Sequence, residues 1–174
     1  YSFEGEAKEQ RDSFSGLRWG TVFVLFAIFA LLAIPFKSYV QPLIVMSVIP
    51  FGVVGAILGH WIMLMPLTIM SMMGMLALSG VVVNDSLVLV DYINRQRRAG
   101  VSLDEAVRSS GQARFRPVLL TSLTTFAGLM PLIFEKSTQA QFLIPMAVSL
   151  GFGILFATAV TLLIIPVNYL LLED

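Results

Sequence analysis

The chain has 174 residues, of which 57% are hydrophobic and only 13% are charged, and its formal net charge is zero. A soluble domain is usually about 45–50% apolar and roughly 25% charged, so this composition indicates a membrane protein rather than a soluble one. There is no basic surplus for binding nucleic acid, and the lack of cysteine in the sequence excludes disulfides and thiolate chemistry.

The first element is a charged N-terminal segment, residues 1–16. It opens Tyr1-Ser2-Phe3-Glu4, which is acidic where the start of a signal peptide would be basic. We therefore expect the chain to begin inside a longer protein, or after a part that has been removed.

Five apolar stretches follow, each close to the ~20 residues that a helix needs to cross a bilayer core. Open sheets are excluded in lipid because their edges leave backbone groups unpaired, and the alternation of a membrane barrel is absent. The predicted fold is an all-α integral membrane protein, a five-helix transmembrane bundle over residues 17–174. The predicted spans are residues 19–36, 43–65, 67–90, 117–134 and 142–172.

The basic residues predict the orientation of the spans. The connection after the third span, Asp91 to Arg116, is the long one and is rich in arginine. Because lysine and arginine concentrate on the cytoplasmic side, we expect this connection and the C-terminus inside and the N-terminus outside. The predicted inner side carries Lys37, Arg95, Arg97, Arg98, Arg108, Arg114 and Arg116, and the outer side carries Lys8, Arg11, Arg18 and Lys136.

Within the long connection, residues 102–113 are typical of an amphipathic helix. Ser102 and Glu105 have the spacing of a capping box, and apolar residues on one face follow them. Such a helix fits the cytoplasmic membrane surface. A simple connector is the alternative.

The third span holds the clearest polar residue within the membrane, Asp85. An ionisable side chain there costs about 2.5–3.5 kcal/mol on insertion scales, so it is expected to be paired, hydrated or functional. Gly80, Asn84 and Asp91 fall close to one helical face, with Asp85 beside it. Asp91 lies nearer the cytoplasmic end, where an interfacial charge close to Arg95 is the simpler interpretation.

The fourth span offers a matching polar stripe of Arg114, Thr121, Thr125 and Gly128. A carboxylate in the third span facing hydroxyls and an arginine in the fourth would form a proton relay. Two alternatives stand beside it, because threonines in membrane helices often bond back to their own backbone, and polar side chains also hold helices together.

No phosphate loop, nucleophile elbow or zinc motif is present, so we expect neither an enzyme nor ATP-driven transport. His60 is the single histidine and cannot form a zinc site by itself. No cofactor or metal is predicted.

Several ordered motifs resemble resistance–nodulation–division (RND) efflux pumps. Residues 80–94 (GVVVNDSLVLVDYIN) resemble the central helix of the second repeat, and residues 114–123 (RFRPVLLTSL) with 128–132 (GLMPL) resemble the next helix. Residues 163–169 (LIIPVNY) resemble the last helix, and FKSYVQP at 36–42 also fits. The resemblance covers nearly the whole chain from about Gly5.

This resemblance implies an architecture. Such pumps have twelve membrane helices and large periplasmic domains, and this chain would supply helices eight to twelve, with residues 1–16 as the end of a periplasmic domain. Proton flow through the membrane part drives export of drugs or other solutes. The implied setting is the bacterial inner membrane, in a homotrimer that has a periplasmic adaptor and an outer-membrane channel as partners.

The resemblance also places individual residues. The family's relay usually has a lysine where this sequence has Asn84, so the usual counter-charge is missing and Asp85 is the residue placed to take over. Arg114 and Thr121 match relay positions of the next helix. The family's paired aspartates belong to the first repeat, so this chain is expected to need the N-terminal half of the same transporter.

Two other functions stay open. Asn84, Asp85 and Ser86 also resemble the SecD/SecF protein-export accessories, which share the fold, although the RFRP and GLMP motifs favour efflux pumps. A non-transporting bundle that senses lipids or sterols is the third possibility.

Overall fold

The computed structural model describes residues 2–172 and is helical throughout that range apart from short connections. Tyr1 and residues 173–174 lie outside the described residues, and so do the outermost ends of the predicted ranges 1–16 and 17–174. The helices are α1 (Ser2–Phe36), α2 (Val40–Met46), α3 (Ile49–Ile62), α4 (Ile69–Arg98), α5 (Leu103–Ile133), α6 (Thr138–Gln141) and α7 (Ile144–Leu172).

Among residues 2–172, five helical segments are long and apolar enough to cross a membrane. Four of them are single helices, α1, α4, α5 and α7, and the fifth is formed by α2 and α3 together. The predicted fold, an all-α membrane protein with a five-helix bundle, is therefore confirmed. The segments run Glu4–Phe36, Val40–Ile62, Ile69–Arg98, Leu103–Ile133 and Ile144–Leu172.

The helices extend further than the apolar stretches. α1 is helical from Ser2. α4 continues to Arg98 and α5 begins at Leu103, so only residues 99–102 separate α4 from α5. Residues 103–113 are thus the first turns of α5, and the Ser102 hydroxyl accepts a bond from the Glu105 amide at 3.4 Å. Backbone hydrogen bonds hold a helix in water as well as in lipid, so hydropathy does not mark its ends.

The second membrane-crossing segment is interrupted between α2 and α3. Pro50 stands at the start of α3, where its missing N–H is tolerated. The Ser47 hydroxyl donates to the Ile44 carbonyl at 2.6 Å and accepts from the Asn168 side chain of α7 at 2.9 Å. This contact ties the interruption to α7.

The core lies where α3, α4 and α7 meet. A Cβ added at Gly55 would collide with Phe156, and one at Gly59 would collide with Phe152. The glycines of α3 therefore let its backbone approach α7 more closely than any larger residue would.

α1 stands at the edge of this core. In the most apolar 18-residue stretch of α1, only 6% of the residues are buried against the rest of the chain. The corresponding share is 50% for α4 and for α7. Trp19, Phe23 and Ile34 are among its exposed side chains. α1 therefore offers most of its apolar surface to lipid or to protein outside this chain.

Candidate functional site

Asp85 lies on the inward side of α4, between the core residues Val82 and Leu89, and is only 8% exposed. Its carboxylate makes no hydrogen bond or ion pair with any residue of the range 2–172. A buried carboxylate without a partner is costly in a medium of low dielectric constant. The arrangement therefore suits a group that gains and loses a proton rather than one that only holds helices together.

Asn84 faces away from the core, unlike its neighbour Asp85. Its side chain is exposed, and the residues Ala77, Gly80 and Val88 on the same outer face of α4 are exposed as well. An amide in the middle of an apolar helix is stabilised when another helix covers it. This face of α4 therefore has the composition of a helix contact, and none of the described helices covers it.

The hydroxyls of α5 are satisfied within their own helix. Thr121 donates to the Pro117 carbonyl at 2.8 Å, Thr124 to the Leu120 carbonyl at 2.9 Å and Thr125 to the Thr121 carbonyl at 2.8 Å. Thr121 and Thr124 are exposed. Such back-bonding is the simpler of the two interpretations of these residues, and the Thr121 oxygen still has a free lone pair.

Arg114 connects α5 to α4. Its guanidinium carbon lies 5.2 Å from the centre of the Tyr92 ring, which is the geometry of a cation–π contact. Its Nε is buried without a hydrogen-bond partner. Tyr92 lies two turns beyond Asp85, about 10.5 Å along the helix axis.

The predicted relay residues are therefore only partly brought together. Asn84 and Asp85 adjoin on α4, and Arg114 packs against the same helix at Tyr92. Within residues 2–172, no hydrogen bond or ion pair joins any two of Asn84, Asp85, Arg114 and Thr121. Asp91 pairs instead with Arg95 at 2.9 Å. The Arg95 side chain is largely exposed and that of Asp91 is partly exposed, which fits an interfacial charge.

Sequence reasoning did not identify a polar cluster that joins α2, α4 and α7. Gln41 donates to the Asn94 carbonyl oxygen and to the Tyr169 hydroxyl, both at 3.2 Å, and Asn94 donates back to Gln41 at 2.8 Å. The Tyr169 hydroxyl donates to the same Asn94 oxygen at 2.5 Å. The available signal was weak, since each residue is a single polar group near the end of an apolar stretch.

A second polar cluster, at the other end of the bundle, holds His60. The ring is 2% exposed, with Nδ1 2.9 Å from the Ala56 carbonyl and Nε2 2.7 Å from the Ser71 hydroxyl. A carbonyl only accepts, so Nδ1 donates its proton to Ala56, and Nε2 forms the second hydrogen bond with the Ser71 hydroxyl. Ser71 also belongs to the capping box with Thr68 that begins α4, so His60 has a structural role here.

Comparison with known proteins gives consistent results. The model of the AcrB/AcrD/AcrF family matches residues 1–173. A cobalt-zinc-cadmium resistance protein, CzcA, from Cupriavidus metallidurans is 40% identical over 145 residues, which are 83% of this chain and 14% of that protein. The multidrug resistance protein MdtC of Pantoea ananatis is 30% identical over 173 residues, which are 99% of this chain and 17% of that protein.

Solved structures agree with the sequence comparisons. A heavy metal efflux pump, known from X-ray crystallography, superimposes with a TM-score of 0.86 and 29% identity over 95% of this chain and 16% of that one. A second crystal form of a heavy metal efflux pump gives a TM-score of 0.87 with 28% identity. The chain thus spans only about a sixth of the length of the relatives that it matches.

Proposed function

This chain belongs to the AcrB/AcrD/AcrF family, and from that membership we propose that it forms part of the membrane domain of a proton-driven efflux pump. The predicted resemblance to RND transporters is confirmed by the family match and by the relatives. Membership of a transporter family also favours efflux over the two alternatives, a protein-export accessory and a lipid-sensing bundle.

The observation that supports proton coupling is the buried, unpartnered carboxylate of Asp85. With Asn84 at the position where the family usually has lysine, no neighbouring cation on α4 offsets this charge. We infer that Asp85 takes up and releases the coupled proton. Arg114 and Thr121 are proposed to extend the path along α5, where Arg114 lies towards the cytoplasmic end and Thr121 retains a free lone pair.

The exposed outer face of α4 supports a partner. Asn84, Gly80 and Ala77 present small and polar groups there, which are the residues that membrane helices use to pack closely. We propose that the N-terminal half of the same transporter covers this face and completes the relay. The intact pump is proposed to be a homotrimer in the bacterial inner membrane, with a periplasmic adaptor and an outer-membrane channel.

The relatives' names indicate the class of substrate. One is named for cobalt, zinc and cadmium resistance, and another for multidrug resistance. We propose export of small toxic solutes, either metal ions or drugs, with substrate binding outside this chain.

The test is Asp85→Asn in the intact parent protein, expressed in a host that lacks its own pumps. Asparagine nearly preserves the shape of aspartate but cannot carry the proton, so we expect resistance to metals and drugs to fall to the level of the empty vector. Asp91→Asn is the matched control, because that carboxylate is already paired with Arg95 at the interface. Normal export by Asp85→Asn at equal membrane expression would refute the role of Asp85.

A further inference from the structure

Ser122 of α5 and Thr158 of α7 form a buried pair of hydroxyl groups inside the bundle. Their side chains are hydrogen-bonded to each other, and the two residues are 0% and 4% exposed. Two hydroxyls bring two protons, and the bond between them uses only one. Neither hydroxyl makes another hydrogen bond with residues 2–172. Among the described residues, the pair therefore has one O–H donor left without an acceptor.

Asp85 lies on the side of α4 that packs against both α5 and α7. Gly74, Asp85 and Tyr92 follow one another at steps of 11 and 7 residues, about three and two helical turns, so they share one face. At Gly74 this face touches α7, since an added Cβ would lie 2.6 Å from the Met146 carbonyl oxygen. At Tyr92 it touches α5, because the Arg114 guanidinium packs over the ring at 5.2 Å. Between these two contacts, Asp85 faces the region where α5 and α7 meet.

The depth of Thr158 in the bundle matches that of Asp85. α4 and α7 run in the same direction, as the third and fifth membrane-crossing segments. Leu78 of α4 is level with Gly153 of α7, where an added Cβ would collide with the leucine side chain. Asp85 follows Leu78 by seven residues, and Thr158 follows Gly153 by five. At 1.5 Å per residue, Asp85 and Thr158 therefore differ in depth by only about 3 Å.

Ser122 reaches the same depth from α5. This helix runs opposite to α4, and Arg114 of α5 is level with Tyr92 of α4. Asp85 precedes Tyr92 by seven residues, and Ser122 follows Arg114 by eight, a difference of about 1.5 Å along the axis. The three helices pack against one another. The spare O–H donor of the pair and the unpartnered carboxyl group of Asp85 are therefore at one level of the bundle.

We propose that the Ser122–Thr158 pair donates a hydrogen bond to the Asp85 carboxyl group and positions that group for proton exchange. This inference rests on the proposed role of Asp85 in proton coupling. No hydrogen bond joins the pair to Asp85 in the described part of the chain, so the link forms through one bridging water or after rotation of the side chains.

The pair acts as a hydrogen-bond donor only. It stabilises the carboxylate of Asp85 when the coupled proton has left, and the two hydroxyls keep their own protons. Because the same pair joins α5 to α7, a change in the charge of Asp85 on α4 would reach both of these helices. Ser122 and Thr158 are thus positioning residues that act through Asp85.

The test is infrared difference spectroscopy of the purified intact parent protein between acidic and alkaline pH. The C=O stretching band of protonated Asp85 is the band that Asp85→Asn removes. Ser122→Ala combined with Thr158→Val removes both hydroxyls, and a carboxyl C=O that loses a hydrogen bond absorbs at higher frequency. We expect the Asp85 band to shift upwards in this double variant. Thr158→Ser keeps both hydroxyls and should leave the band at its wild-type position.

Thr124→Val is the matched control, because Thr124 is an exposed residue of α5 whose hydroxyl bonds to its own helix. An equal shift in Thr124→Val would overturn the proposal. An unshifted Asp85 band in the double variant would also overturn it, and would leave Asp85 as a proton-binding group. Absence of any Asp85 band in the wild-type protein would remove the proposed function together with this inference.

The single substitutions keep the proposal testable if the double variant does not fold. Ser122→Ala and Thr158→Val each retain one hydroxyl, so each should shift the Asp85 band by less than the double variant does. A band that shifts in neither single variant would contradict the proposal.

Discussion

Polar residues inside the spans are of two kinds. Most are satisfied by neighbours: Gln41, Asn94 and Tyr169 bond to one another, and Thr121 bonds to its own helix. Asp85 is buried with no such partner in the described residues. A hydrogen-bonded polar group stabilises the bundle. A buried polar group without a partner destabilises it, so its presence indicates a functional role.

The hydrogen-bonded cluster of Gln41, Asn94 and Tyr169 leads to a prediction about the stability of the protein. Tyr169→Phe removes the hydroxyl of a fully buried residue, and with it the hydrogen bond that the hydroxyl accepts from Gln41 and the one that it donates to the Asn94 oxygen. We expect the free energy of unfolding of the intact protein to fall by about 1–3 kcal/mol. SDS-induced unfolding followed by circular dichroism measures it. Tyr39→Phe, at an exposed tyrosine, should change little, and equal effects of both substitutions would contradict the structural role of the cluster.

Sequence reasoning identified Asp85 but not its surroundings. Neighbouring residues of a helix point about 100° apart, and in a membrane helix that is apolar all round the pattern does not tell which side is buried. The structure turns Asp85 inward and Asn84 outward. The Gln41–Asn94–Tyr169 cluster could not be predicted from the sequence for another reason, because its members are 53 to 128 positions apart along the chain.

At the scale of whole elements, close packing of α3 on α7 depends on glycine. Gly55→Ala would drive a methyl group into Phe156 and to 3.1 Å from the Phe152 carbonyl oxygen. Because neither backbone moves easily in a packed core, we expect the free energy of unfolding to fall by about 1–3 kcal/mol.

The matched control for Gly55→Ala is Gly111→Ala, since Gly111 has nothing within 4 Å of an added Cβ. Alanine favours a helix over glycine, so this substitution should be neutral or stabilising by up to about 1 kcal/mol. Chemical unfolding of both variants in the same detergent makes the comparison. A stable Gly55→Ala protein would show that the two helices are further apart than described.

The five membrane-crossing helices were predictable from hydropathy, and their ends were not. An apolar stretch long enough to span a bilayer leaves the chain little choice but a helix. The polar parts that extend α1 towards Ser2 and α4 towards Arg98 are helical because of backbone hydrogen bonding, which hydropathy does not record. The interruption at Ser47 also went unpredicted, since Pro50 alone is compatible with a kink or with a break.

For the whole molecule, the orientation in the membrane remains a prediction from the basic residues. The sequence has no cysteine of its own, so Lys136→Cys or Ala99→Cys is the single thiol of this part of the protein once any cysteine elsewhere in the parent protein has been replaced. Both positions are exposed in connections at opposite ends of the bundle. A membrane-impermeant maleimide applied to spheroplasts should label position 136 only, and labelling of position 99 instead would invert the orientation.

Substitutions on the outer face of α4 can test how this chain packs in the intact pump. A Cβ added at Gly80 has nothing within 4 Å, so residues 2–172 leave room there for a large side chain. If the N-terminal half packs on this face, Gly80→Phe in the intact protein separates the two halves, and overpacking of this kind typically costs about 1–3 kcal/mol. We expect lower thermal stability and loss of export, whereas Gly111→Phe, at an equally open site on the first turns of α5, should preserve both. Full export by a stable Gly80→Phe protein would mean that the partner half lies elsewhere, and that Asn84 faces lipid rather than the relay.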